Sequence, residues 1–195
     1  MRRKDWHELH FWQTTQHRDL CCSRLPRYLE VFGIDPQTNL GEVLEIGTGP
    51  FGGVLPLICA SRKVGIDPLC SEYRKLGTLK EAPGVEYVEA YFEEWQTGDR
   101  FDTIIAIDAL DHGEMGFQLL PRIFDLLRPG GRLYLHVHFR PKEYLNLIHD
   151  HPMTEEDLER HLSQTAFVEE KRQFYENDVG GDFCRALVGV WRRPL

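Results

Sequence analysis

The run Val43-Leu44-Glu45-Ile46 leads directly into Gly47-Thr48-Gly49-Pro50-Phe51-Gly52-Gly53, and this junction constrains the chain more than any other feature. A short apolar run bounded by turn formers reads as a buried strand. Glycines at the first, third and sixth positions of the turn admit left-handed backbone and let a ligand approach closely as a helix opens. Asp67 follows Gly47 by 20 residues, at the end of a second apolar run. A carboxylate there can accept hydrogen bonds from both ribose hydroxyls of an adenosine group. The two features together imply an adenosine-bearing ligand, and at this point a nicotinamide dinucleotide is as acceptable as any other.

The rest of the chain alternates strand and helix. Lys63–Ile66, Val85–Val88, Phe101–Ile107 and Gly131–His138 read as further strands, separated by helical patterns over Phe51–Ser61, Tyr73–Leu79 and Met115–Leu127, with Pro129-Gly130-Gly131 as the turn before the fifth strand. Thr154 with Asp157 three residues on is a carboxylate capping box for a helix over Glu155–Gln164, and two final strands follow near Phe167–Tyr175 and Arg185–Trp191. Ahead of the first strand, apolar residues at spacings of three and four over positions 5 to 32 predict one or two amphipathic helices, broken near Pro26. Such alternation predicts an α/β fold with a mostly parallel sheet and helices on both faces. With 195 residues, 42% of them hydrophobic, the chain suits one domain, here 1–195, comprising an N-terminal helical segment over 1–38 and a catalytic core over 41–195.

Thirty-one acidic against 23 basic side chains give a net charge of −8, which disfavours nucleic acid and anionic membrane surfaces as partners. Five cysteines without CxxC spacing suggest neither a zinc ribbon nor a disulfide framework, and fit a reducing cytoplasm. The basic start Arg2-Arg3-Lys4 is not followed by the apolar run of a signal peptide, and no stretch approaches the roughly 20 apolar residues of a membrane helix.

The segments VLEIGTGPFGG, VGIDP, FDTIIAIDALDH and LLRPGGRLYLHV stand in an order and spacing that resemble the class I S-adenosylmethionine-dependent methyltransferases, over roughly residues 42 to 138. Glu45, two positions before the first glycine, and the Leu126–Gly131 turn match that family and are not required of dehydrogenases. The resemblance implies a Rossmann-like sheet of seven strands in the order 3-2-1-4-5-7-6, the last antiparallel, with S-adenosylmethionine as cofactor and transfer of its methyl group to oxygen, nitrogen or carbon of a small-molecule acceptor. By the same resemblance Gly47, Gly49 and Gly52 form the cofactor loop and Glu45 orients the loop or the cofactor's ammonium. Asp67 then holds the ribose, Pro68 and Leu69 pack on the adenine, and Asp108 with Ala109 meets the methionine portion and faces the acceptor. Tyr91-Phe92 stands where the family often has Asp-Ala, so adenine recognition falls to backbone groups, Glu93 or aromatic packing by Phe92, with core filling the alternative.

Methyl transfer from a sulfonium is an in-line displacement, and positioning supplies much of its catalysis. Where a base is needed, Asp111 and His112 after the fourth strand and His136 and His138 on the fifth are the candidates, with His112 and His138 preferred because His136, on the same strand face as His138, lies deeper. The two strand histidines with Asp108 also resemble part of a metal site, but without a third identified ligand no metal is expected. Arg140 or Lys142, in the connection after the fifth strand, could meet an acidic acceptor. Trp6, Phe11 and Trp12 could close over the pocket, although packing of an amphipathic helix explains them as well. A non-catalytic cofactor-binding sensor or scaffold, and a methyltransferase acting on protein or RNA, are the competing functions.

Overall fold

A computed structural model describes residues 2–13, 15–79, 81–112, 115–139, 153–179 and 182–195. Seven strands form one sheet in the order β3-β2-β1-β4-β5-β7-β6. They are β1 (Glu42–Ile46), β2 (Arg62–Ile66), β3 (Val85–Val88), β4 (Phe101–Ile107), β5 (Leu127–Phe139), β6 (Val168–Val179) and β7 (Asp182–Arg192). The helices are α1 (Arg3–Trp12), α2 (Thr15–Phe32), α3 (Cys70–Lys75), α4 (Leu120–Leu126) and α5 (Glu155–Leu162). The strand order is the one the resemblance implies. The chain divides into two compact units, Met1–Thr97 and Gly98–Leu195.

In the first unit β1 pairs parallel with β2, and β2 parallel with β3. Val43, Leu44, Val64 and Ile66 are buried on these strands, as the apolar residues of a covered parallel sheet should be. Leu69, Cys70, Tyr73 and Leu79 form a buried cluster against which Leu9 and Trp12 of α1 and Tyr87 pack. Two expectations fail here. The first helix ends at Trp12 and α2 then runs through Pro26, so the break falls near residue 13 and not at the proline. Proline costs a helix one donor and a steric clash, but the buried Leu29 and Phe32 beyond it anchor the last turn. Second, no α-helix forms over Phe51–Ser61; the segment holds two 3-10 turns, Gly49–Phe51 and Leu55–Leu57. Gly52 and Gly53 both take left-handed φ (78° and 62°) and Pro56 sits in the second turn, which together deny the segment a regular helix.

In the second unit β4 pairs parallel with β5, and β5-β7-β6 are antiparallel. The helix before β5 starts as a 3-10 turn, Gly116–Leu119, and becomes α4 only at Leu120. Strand β5 begins earlier than the sequence suggests, at Leu127. Phe101 pairs with Leu127 and Thr103 with Arg132, so Arg128–Gly131 bulges within the strand and does not end the helix. Thr154 caps α5 by accepting the Asp157 N–H at 3.1 Å, as the capping box predicts. Among the described residues, no helix is long and apolar enough to cross a membrane.

Candidate functional site

In the first unit the glycine turn is held by two buried carboxylates. Glu45 points from β1 beneath the turn, where its oxygens accept the Val54 N–H at 3.0 Å and the Leu55 N–H at 3.2 Å. Burial pushes its carboxyl up to about 8 against the opposing pull of those two amides, and the negative charge of Asp67 adds to the rise. Of the two roles the resemblance allows Glu45, the geometry displays the first, orienting the loop. Gly53, which sequence reasoning did not single out, is the counterpart of Glu45. A Cβ on Gly53 would overlap that carboxylate, and its φ of 62° already favours glycine.

Asp67, at the end of β2, ties the two loops together: Oδ2 accepts the Gly49 N–H and Oδ1 the Leu69 N–H, each at 2.8 Å. Gly47 and Gly49 have left-handed φ (72° and 60°), and a Cβ on Gly49 would meet nothing within 4 Å, so the turn has room beside it. Gly52 differs, because a Cβ there would overlap the Tyr87 hydroxyl. The Thr48 hydroxyl in the same turn is buried without a hydrogen-bond partner. Room at Gly49, an orphaned hydroxyl at Thr48 and an acid at Asp67 fit an adenosine-bearing ligand laid against the turn. Pro68 is partly exposed and Leu69 buried.

After β3, Phe92 is buried, whereas Tyr91 serves α1. The Tyr91 hydroxyl donates to Asp5, the Arg2 guanidinium lies 3.6 Å from the Tyr91 ring centre, and Arg2 pairs with Glu93 at 2.6 Å. Trp12 stands edge-on to Phe51 of the glycine turn, with ring centres 5.7 Å apart. Of the three aromatics with a suggested covering role, Trp12 therefore touches the turn, while Trp6 is exposed.

In the second unit the chemistry converges on Asp108, directly after β4. Its Oδ1 accepts His136 Nδ1–H at 2.7 Å and lies 2.9 Å from His138 Nδ1, and the Tyr175 hydroxyl of β6 meets His136 Nε2. Burial pushes the Asp108 carboxyl up, but the charge of His136 and the N–H groups of both histidines overcome it and hold the acid well below the usual carboxylate range. Asp108 adopts φ 49°, the one positive φ outside glycine among the described residues. Non-glycine residues hold that conformation at a cost that commonly marks functional positions.

The structure thus brings His138 and Asp108 together and adds His136 and Tyr175. Tyr175 had no signal in local sequence. It reaches the cluster because His138 and Tyr175 both pair with Ala186, whose methyl keeps the space between them small. Ala109 and His112 lie in the turn after β4, where the His112 N–H bonds the Ala109 carbonyl at 3.3 Å, and Asp111 is buried beside it. Arg140 and Lys142 lie outside the described residues.

Comparison with known proteins agrees with this geometry. A methyltransferase domain family matches residues 12–175, and the chain belongs to that family. The ubiquinone biosynthesis O-methyltransferase of Aeromonas salmonicida (strain A449) is 31% identical over 117 residues, 55% of this chain; the match spans about half of that protein, 48%. Among solved structures, N-methyltransferase NodS of Bradyrhizobium japonicum WM9, in complex with S-adenosyl-L-homocysteine, superposes with a TM-score of 0.65 at 17% identity, covering 89% of this chain and 87% of that one. Magnesium protoporphyrin IX methyltransferase of Synechocystis PCC 6803 with bound S-adenosylmethionine gives 0.57 at 19% identity, covering 91% and 79%. At these identities the structural likeness is one of fold.

Proposed function

We propose that the chain is a single-domain, S-adenosylmethionine-dependent methyltransferase acting on an oxygen, nitrogen or carbon atom of a small molecule in the cytoplasm. The observation that carries this reading is the glycine turn tied to Asp67, with room beside Gly49. In it, Gly47, Gly49 and Gly52 shape the turn, Glu45 fixes it from below, Asp67 takes the ribose hydroxyls, and Pro68 and Phe92 border the adenine. Asp108 and Ala109 take the methionine portion and face the acceptor. The cofactor supplies a methyl group already activated on a sulfonium.

Catalysis by the chain is then chiefly alignment of the acceptor lone pair with that methyl carbon. Bound against the turn, the cofactor would supply an electrophilic methyl carbon and take back the carbon–sulfur electron pair, and the chain would supply a base for the proton the acceptor sheds. His138 is that base. With Nδ1–H donated to Asp108, the ring carries its lone pair on Nε2, and the carboxylate stabilises the imidazolium formed. His112 is the second candidate. The excess of acidic side chains favours a small-molecule acceptor over nucleic acid.

Calorimetry with S-adenosylmethionine and with a nicotinamide dinucleotide tests the cofactor. The first should bind and the second should not, and Asp67→Ala should cost roughly 1–3 kcal/mol of cofactor affinity without unfolding the chain. Binding of the nicotinamide dinucleotide alone would refute the reading. Transfer of label from methyl-labelled cofactor into a metabolite extract separates an enzyme from a sensor.

A further inference from the structure

The geometry points to a divalent transition-metal site built from Asp108, His136 and His138, with zinc the ion best suited to its donors. The site is argued from the second unit's own geometry, but it shares Asp108 and His138 with the proposed function, and any part it has in methyl transfer rests on that reading.

Two imidazole nitrogens and a carboxylate oxygen of these residues lie within 4.8 Å of one another, the only such group of three among the described residues. Both rings turn the same atom, Nδ1, toward the same oxygen, at 2.7 and 2.9 Å. The protons now shared along those two lines occupy the place a cation would take. If both leave, two nitrogen lone pairs and one anionic oxygen converge on one point. An ion with bonds of about 2.0–2.2 Å spaces its donors roughly 3.4 Å apart, so the carboxylate oxygen must draw back by about half an ångström while the two nitrogens, within 4.8 Å of each other, close around the ion. Two nitrogens and one oxygen are a donor set of borderline softness, which suits zinc and its neighbours over magnesium or calcium.

The surroundings fit a ligand set as well as the donors do. His136 and His138 project from β5, which is flanked by β4 and β7, so their spacing is fixed by the sheet. Nε2 of His136 is engaged by the Tyr175 hydroxyl, the outer hydrogen bond that orients a ligating imidazole; once Nδ1 holds a metal, Nε2 carries the hydrogen and the tyrosine oxygen accepts it. The two histidine side chains are nearly inaccessible, at 1% and 9%, while that of Asp108 is 28% exposed and leaves a side for entry. A net charge of −8 raises the local concentration of cations. Three protein ligands leave a tetrahedral ion one position for an exogenous oxygen. Loaded, the cluster would polarise an oxygen acceptor; unloaded, His138 serves as the base.

Titrating chelator-treated chain with zinc chloride in a calorimeter, without any adenosyl compound, tests the site independently of methyl transfer. One ion per chain should bind, the hydrogen displaced from each Nδ1 being carried instead on Nε2 of the same ring. Asp108→Asn and His138→Gln should each weaken binding at least tenfold, Tyr175→Phe about tenfold, and exposed His10→Gln not at all. Cobalt(II) added to the unsubstituted chain should give visible absorption of a low-symmetry nitrogen–oxygen site, which needs no variant to fold. Absence of one-to-one binding, or equal affinity in His138→Gln and the parent chain, would overturn the proposal.

Discussion

In the first unit the buried acids hold backbone: Glu45 accepts the amides of Val54 and Leu55, and Asp67 those of Gly49 and Leu69. In the second unit Asp108 holds side chains, the imidazoles of His136 and His138, the first of which is braced by Tyr175. A carboxylate that organises backbone needs only the correct loop conformation nearby, so glycines and acid recur at short spacing. A carboxylate that organises side chains draws them from wherever the sheet brings strands together. The first arrangement is rigid and resists substitution at its glycines; the second depends on what lies between its members.

The sharpest break of that contrast is Gly53→Ala. Overlap with the Glu45 carboxylate and a left-handed φ should together cost about 3 kcal/mol of stability by urea denaturation. Gly49→Ala, which meets open space, should cost only about 1 kcal/mol but weaken cofactor binding. Equal losses would mean that the two glycines do the same work.

In the second unit Ala186→Leu would thrust a branched side chain between His138 and Tyr175, on the face they share. It should cost about 2 kcal/mol and separate the tyrosine from His136. A normal tyrosine–histidine signature in the variant's NMR spectrum would show that the cluster does not depend on that gap.

The smallest difference is expected for Glu45→Gln at low pH, because below 4.5 a carboxyl raised to about 8 in the fold is protonated in the folded and the unfolded chain alike. The folded state holds a proton that the unfolded chain gives up above 4.5. The stability it contributes is full below 4.5 and is lost as pH rises through about 8. Denaturation curves taken from pH 5 to 9 should fall more steeply for the parent chain than for the glutamine variant, and parallel curves would mean that Glu45 is ionised in the fold.

How far the sequence revealed these two units follows from the same contrast. Strands β1 to β4 were legible because each is a short, mostly apolar run between turn formers, and the glycine turn with Asp67 because its members are close in sequence. The helix expected over Phe51–Ser61 was not, since periodic apolar residues signal a helix whether or not the backbone between them can form one, and Gly52, Gly53 and Pro56 prevent it. The start of β5 was misplaced because Pro129-Gly130-Gly131 has the composition of a turn, yet Gly130 is held by its N–H to the Arg193 carbonyl. His138 could be picked out by its place on a strand. Tyr175 could not, because its approach to His136 is set by β6–β7–β5 register across 39 residues of chain.

The edge-on contact of Trp12 with Phe51 has an experimental consequence. An indole at the rim of the glycine turn makes the first unit optically self-reporting: its ultraviolet emission depends on how Phe51 is seated, and Phe51 follows Gly49 by two residues. Occupancy of the turn can be followed on the unlabelled chain, with Trp12→Phe as the blank that assigns the signal against Trp6, Trp95 and Trp191.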